Sequence, residues 1–214
     1  DPYGLSEEMI RDHKRMLVEK YSFSPQEAAE LGHSFLKTGK YEFGSLAVML
    51  LKKFRPKFNL EVFHTVRAWF DDGVENWAHS DMICSNITPV FLELHIVELD
   101  GFADWRYSES KWTRRAVPVT MLYLRKTADP AQLLDFIEPM MQDHEYVVHQ
   151  GLGWFLKQLW VVHPKEVEEF LHKHRNTAPR LIVQYATEKM HKDKRKRFRR
   201  DEKPKTQFKK KPTR

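Results

Sequence analysis

Cysteine is nearly absent from this 214-residue chain, and the one present, Cys84, excludes an internal disulfide framework. A lone thiol fits a reducing compartment, where it serves as a small apolar side chain. Long apolar runs are missing too. Stretches such as Leu46 to Leu51 fall far short of the roughly 20 residues a membrane helix needs, and no charged-then-apolar leader opens the sequence. A cytoplasmic, monomeric protein without membrane contact is expected. Glycine is scarce at 8 residues, and the alternation of β-branched and polar residues that marks strands is rare. Also lacking are a glycine-rich phosphate loop, a cysteine and histidine pattern with zinc spacing, and a helix-turn-helix or finger signature. His172 and His174 are two apart on a predicted helix, so they point to different sides and suit no shared metal. No cofactor is called for.

What is present is helical periodicity. From Met9 onward apolar residues recur at three- and four-residue spacing. Ser24-Pro25-Gln26-Glu27 combines an N-cap, a first-position proline and a capping-box glutamate, and Asp129-Pro130 and His163-Pro164 open later helices similarly. The pattern predicts helices near 6–20, 24–37, 41–54, 59–71, 75–82, 86–97, 110–126, 130–141, 145–161, 164–174 and 178–191. Pro89 and Pro118 inside two of them should kink the helix or mark its true start. Helix pairs of roughly 35–40 residues have the period of HEAT-like repeats. RRAVPVTMLYL (114–124) and HQGLGWFLKQL (149–159) read as equivalent second helices, 35 positions apart. The expected fold is all-α: antiparallel helix-pair repeats in a curved solenoid, whose second helices line a concave face.

Charge is uneven. Residues 189–214 carry 14 Lys/Arg and 3 Asp/Glu, a net +11, whereas residues 1–188 carry 22 and 27, a net −5. A helical domain over 1–191 and a disordered basic tail over 192–214 are therefore expected, the tail serving either as a solubilising or targeting segment or as a nucleic-acid arm. Three of the six tryptophans stand beside polar residues at helical contact spacing. Trp77 and Asp81 are four apart in NWAHSDM, and Trp112 and Arg115 three apart in KWTRRAV; Trp154 lies in GLGWFLKQL, where Gly151 and Gly153 leave room for close approach. Taken singly, each tryptophan belongs more often to a core, and Asp81 to a cap or a salt bridge.

Together these segments resemble the alkylpurine DNA glycosylases of the AlkD type, built from HEAT-like repeats. The resemblance runs from about Lys40 to Lys189, through KYEFGSLAVMLLKKF, WFDDGVENWAHSDMICSNITPVFL, KWTRRAVPVTMLYL and HQGLGWFLKQLWVVHPKEVEEFL. It implies a catalytic Asp81 with the aromatics Trp77 and Trp154, and a DNA-backbone contact from Arg115; Arg114, Trp112 and Lys157 are further candidate DNA contacts, Lys157 one turn from Trp154 suiting a backbone contact better than a Schiff base with an abasic sugar. It further implies excision without flipping the base into a pocket. The chemistry suits these residue types. A purine alkylated at N3 or N7 is cationic and departs neutral without a general acid, so the sugar cation is what must be stabilised. A carboxylate does this electrostatically while indole faces stack on deoxyribose and exclude water. The expected partner is duplex DNA carrying alkylated purines. Two other readings are a non-catalytic module that grips branched or bent DNA, for which Asp81 has no use, and a helical-repeat scaffold with the tryptophans in its core.

Overall fold

Short polar side chains placed ahead of apolar-periodic segments start the helices. In the computed structural model, which describes residues 4–201, Ser24 Oγ accepts from the Glu27 amide (3.1 Å) and the Glu27 carboxylate accepts from the Ser24 amide (2.8 Å), completing the capping box. Asn76, Ser110 and Asp129 cap their helices in the same manner. The described residues form α1 (Glu7–Lys20), α2 (Pro25–Leu36), α3 (Tyr41–Lys52), α4 (Leu60–Asp72), α5 (Trp77–Asn86), α6 (Thr88–Glu93), α7 (Lys111–Met121), α8 (Pro130–Ile137), α9 (Tyr146–Val162), α10 (Pro164–His174), α11 (Arg180–Ala186) and α12 (Lys192–Lys196), joined by short 3-10 turns and with no strand among them.

These helices pack as two rows. α1, α3, α5, α7, α9 and α11 lie side by side in one, covered by α2, α4, α6, α8 and α10 in the other. The row helices α3, α5, α7, α9 and α11 begin 34 to 36 residues apart, so the chain is the expected all-helical repeat array. The apolar faces of both rows meet in one continuous core that includes Trp69, Trp105, Phe63 and Phe70. Close approach within the row is set by glycine: a Cβ at Gly44 would sit 2.2 Å from the His79 ring, and one at Gly153 2.4 Å from Tyr185 Cβ.

Prolines trim the sequence expectations. Pro89 stands in the first turn of α6, and that helix stops at Glu93, where His95 takes a positive φ of 52°, instead of running to 97. α7 tolerates Pro118 in its interior but ends at Met121, and Pro139 converts the end of the 130–141 segment into a 3-10 turn.

A tail disordered from residue 192 is not what the structure describes up to residue 201. Residues 192–196 form α12, and Phe198 is 2% exposed, its ring 4.7 Å from that of His172. Lys194 pairs with Glu168 at 2.6 Å and Arg175 with Asp201 at 3.0 Å, while Arg195 and Arg200 donate to backbone carbonyls. The charge run is thus partly paired, and its single aromatic supplies an apolar anchor that net charge alone does not reveal. Residues 202–214 of the expected tail lie outside the described residues.

Candidate functional site

Asp81 sits midway along α5, between Trp77 one turn before it and Ser85 one turn after, whose hydroxyl donates to the Asp81 carbonyl at 2.6 Å. Its carboxylate receives a two-pronged grip from Arg115 on α7: Nε to Oδ1 at 3.1 Å, and Nη2 to Oδ1 and to Oδ2 at 3.0 Å each. Arg115 Nη1 donates onward to the Val147 carbonyl in the first turn of α9 at 2.6 Å. One guanidinium therefore ties three row helices together at the carboxylate. Burial pushes the Asp81 carboxyl above its ordinary value, and the Arg115 charge and hydrogen bonds pull it back only in part. Oδ2 accepts one bond from Arg115, and about a fifth of the Asp81 side-chain surface stays open to solvent.

The start of α5 is held by a second network. His79 is buried, donates from Nε2 to the Tyr41 carbonyl at 2.9 Å, stacks on the Tyr41 ring and accepts at Nδ1 from the Asn76 amide. That arrangement needs a neutral ring, and burial lowers the His79 pKa below its usual value. Trp77, fixed at the first position of this helix, turns 65% of its surface to solvent. Trp154 is half-buried on α9 and lines a cleft of about 260 Å³ with Ser85, Pro89, Val119, Leu122 and Tyr123. Trp77 is thus one turn before Asp81 on the same helix, and Trp154 shares its cleft with Ser85, one turn after Asp81. Cys84, in the same region, is buried with its thiol pushed up to about 12, which leaves it inert.

The expected DNA contacts fare differently. Arg115 is 5% exposed, and all three of its guanidinium nitrogens donate to protein oxygens. Its observed work is to orient Asp81. Arg114 is committed to Asp143 at 2.6 Å and to the Ser108 and Glu109 carbonyls, buried where a phosphate does not reach. Lys157 pairs with Glu188 at 2.7 Å over the Tyr185 ring. Trp112 is half-buried against the core with Lys111 nearby. Burial comes from tertiary packing between repeats, which helix spacing alone does not report. Two residues escaped the sequence reading. Tyr41 and Tyr146 are exposed at the first positions of α3 and α9, as Trp77 is on α5, and their 34-to-36-residue register with the other helix starts was the available signal.

Among the described residues no three His, Cys, Asp or Glu side chains gather to hold a metal ion, and no helix is long and apolar enough to cross a membrane. The family model for DNA alkylation repair enzymes matches residues 2–190, extending the resemblance well before Lys40. A solved structure described as a predicted DNA alkylation repair enzyme from Enterococcus faecalis aligns with a TM-score of 0.74 at 20% identity, covering 88% of this chain and 88% of that one, which speaks for the fold. No curated protein matches the sequence. On this match, over nearly its whole described length, the chain belongs to the DNA alkylation repair enzyme family.

Proposed function

We propose that the protein is a monofunctional DNA glycosylase that hydrolyses the N-glycosidic bond of N3- or N7-alkylated purines in duplex DNA. The observation that carries this reading is the setting of Asp81: a carboxylate oriented by Arg115 and still partly exposed, one helix turn from the exposed Trp77 and one turn from Ser85, which shares a cleft with Trp154. The alkylated base already bears the charge that makes it a good leaving group, so the protein's task is the sugar cation. Asp81 supplies a fixed negative charge in a partly desolvated setting, where it acts more strongly than in water. Trp77 and Trp154 offer apolar faces for the sugars beside it. The site is an open helix face and the base can remain in the stack.

Roles follow from the geometry. Asp81 is the catalytic residue, Trp77 and Trp154 the neighbouring aromatics, and Arg115 the positioning residue. The row face, with Tyr41, Trp77, Trp112 and Tyr146 near successive helix starts, is the surface on which the duplex lies. Arg114 serves the fold through Asp143, and Lys157 reaches a phosphate only by leaving Glu188. The binding-only alternative is no longer disfavoured by the mere presence of Asp81, because pairing with Arg115 gives the carboxylate a structural use in either case. Base release separates the two. The wild-type protein should free 7-methylguanine or 3-methyladenine from methylated duplex DNA, and Asp81→Asn should lose roughly 10²–10³ in single-turnover rate while still binding the duplex. Release by Asp81→Asn at the wild-type rate would show that the carboxylate does not act in the chemistry.

A further inference from the structure

A cavity of about 730 Å³ lies away from Asp81, where the row ends. Its walls are Arg180, Val183, Gln184 and Thr187 of α11 on one side and Arg195, Phe198, Arg199 and Arg200 of the C-terminal segment on the other, with Arg175 at the rim. Five of these residues are arginines, and no carboxylate lines the space. Asp201 neutralises only Arg175. Arg195 and Arg200 are held in place by carbonyl oxygens of Met190, Glu188 and Ala178, and the Glu188 carboxylate offsets only part of the Arg195 charge. Among the described residues, the side chains of Arg180 and Arg199 have neither a hydrogen-bond nor an ion-pair partner. Four like charges around one cavity are mutually repulsive, and a bound polyanion would relieve the repulsion. The C-terminal wall lies beyond residue 190, where the family match stops.

We propose that this cavity is a phosphate-binding subsite that grips the DNA backbone at a distance from the lesion. This rests on the reading that duplex DNA lies along the row. The direction fits. Gly153 of α9 packs against Ile182 and Tyr185, whereas Arg180, Gln184 and Thr187 face the other way, past the end of the row. Helices packed side by side are about 9 Å apart, so α11 stands roughly 27 Å from α5. At 3.4 Å per base pair that is about eight base pairs from the nucleotide at Asp81. Arginine suits the task because its planar fork meets phosphate oxygens in pairs.

The test uses the full chain and an unmodified duplex long enough to extend about ten base pairs to either side of the site. Arg180→Ala/Arg199→Ala should lower the slope of log affinity against log salt by nearly 2, because each lost phosphate contact removes about 0.9, and should weaken binding about 60-fold at 0.1 M salt. Single-turnover base release at saturating protein should not change, nor should thermal unfolding, since neither side chain holds a partner. Arg180→Lys/Arg199→Lys should keep most of the slope, and a duplex cut short before the cavity should give the wild-type protein the slope of the double alanine variant. An unchanged slope in the double alanine variant overturns the proposal, as does micromolar binding of ATP or inorganic phosphate that Arg180→Ala abolishes while duplex affinity stays the same. Failure of the wild-type protein to release any alkylated base would count against the glycosylase reading alone, because the slope is measured on undamaged DNA.

Discussion

Replacing Arg115 with alanine tests the central arrangement more sharply than removing the carboxylate, because it leaves Asp81 in place and strips away the cation paired with it. Two effects follow. Breaking a buried ion pair by deleting one member costs about 3–5 kcal/mol, and Asp81, with 21% of its side chain exposed, keeps some hydration, which puts the cost near 3 kcal/mol. For a domain of this size each kcal/mol moves the melting temperature by about 2–4 °C, giving a fall of about 6–12 °C. The second effect is on titration. Burial already holds the Asp81 carboxyl above its ordinary value, and Arg115 is what opposes that rise. Without it the carboxyl rises further, and since the ionised form is the active one, the acid limb of the rate profile moves to higher pH. Each unit of movement is a tenfold rate loss below the limb. Thermal unfolding and single-turnover 7-methylguanine release across the acid to neutral range measure both. Arg115→Lys keeps the charge without the fork, so it should hold the limb closer to wild type while recovering only part of the stability. An Arg115→Ala protein that melts within about 2 °C of wild type, as for a surface pair, with its acid limb unmoved would refute the positioning role.

Trp77→Ala removes a side chain that is 65% exposed, so unfolding should be almost unchanged while base release falls; a drop in melting temperature of the kind expected for core tryptophans, about 3–5 kcal/mol, would place it in the core instead. Trp154→Ala should cost stability as well as rate, because this indole is half-buried against the core, and a folded fraction that excises normally would remove it from the site. His79 is neutral in the fold, so the unfolded chain binds more protons below its ordinary pKa near 6.5: stability is whole above that pH and declines as pH falls through it. Since burial lowers the His174 pKa too, His79→Gln should lessen the acid decline without abolishing it, and an equal decline would contradict the assignment. Phe198→Ala should loosen residues 192–201 from α10, seen as faster amide exchange and proteolysis there, and unaltered protection would mean that charge pairing alone holds the segment.

Helix identity and repeat period were legible in the sequence because caps, prolines and three-to-four spacing are local signals. The pairing of Trp77 with Asp81 was legible for the same reason, one helix turn being a fixed distance. What could not be read was which cations are already occupied. Arg114 meets Asp143 across 29 positions and Arg115 meets Asp81 across 34, and contacts between repeats leave no mark at helical spacing. The packing of residues 192–201 was hidden by their composition: one phenylalanine among ten mostly charged residues decides the outcome only when a neighbouring helix offers His172 as a surface.

The bridge from Asp81 through Arg115 to the Val147 carbonyl has a consequence for how such an array can change over generations. Repeat arrays grow and shrink by gain or loss of whole units, and most of this array is built so that a unit contacts only its neighbours. The bridge breaks that independence by joining a helix to the one two places along. A unit inserted or deleted between residues 81 and 147 would part the carboxylate from the groups that aim it, however well the new helix stacked. Units added before α3 or after α11 would leave it untouched. Length variation should therefore gather at the two ends of the array, and the C-terminal segment with its arginines is an extension of that permitted kind.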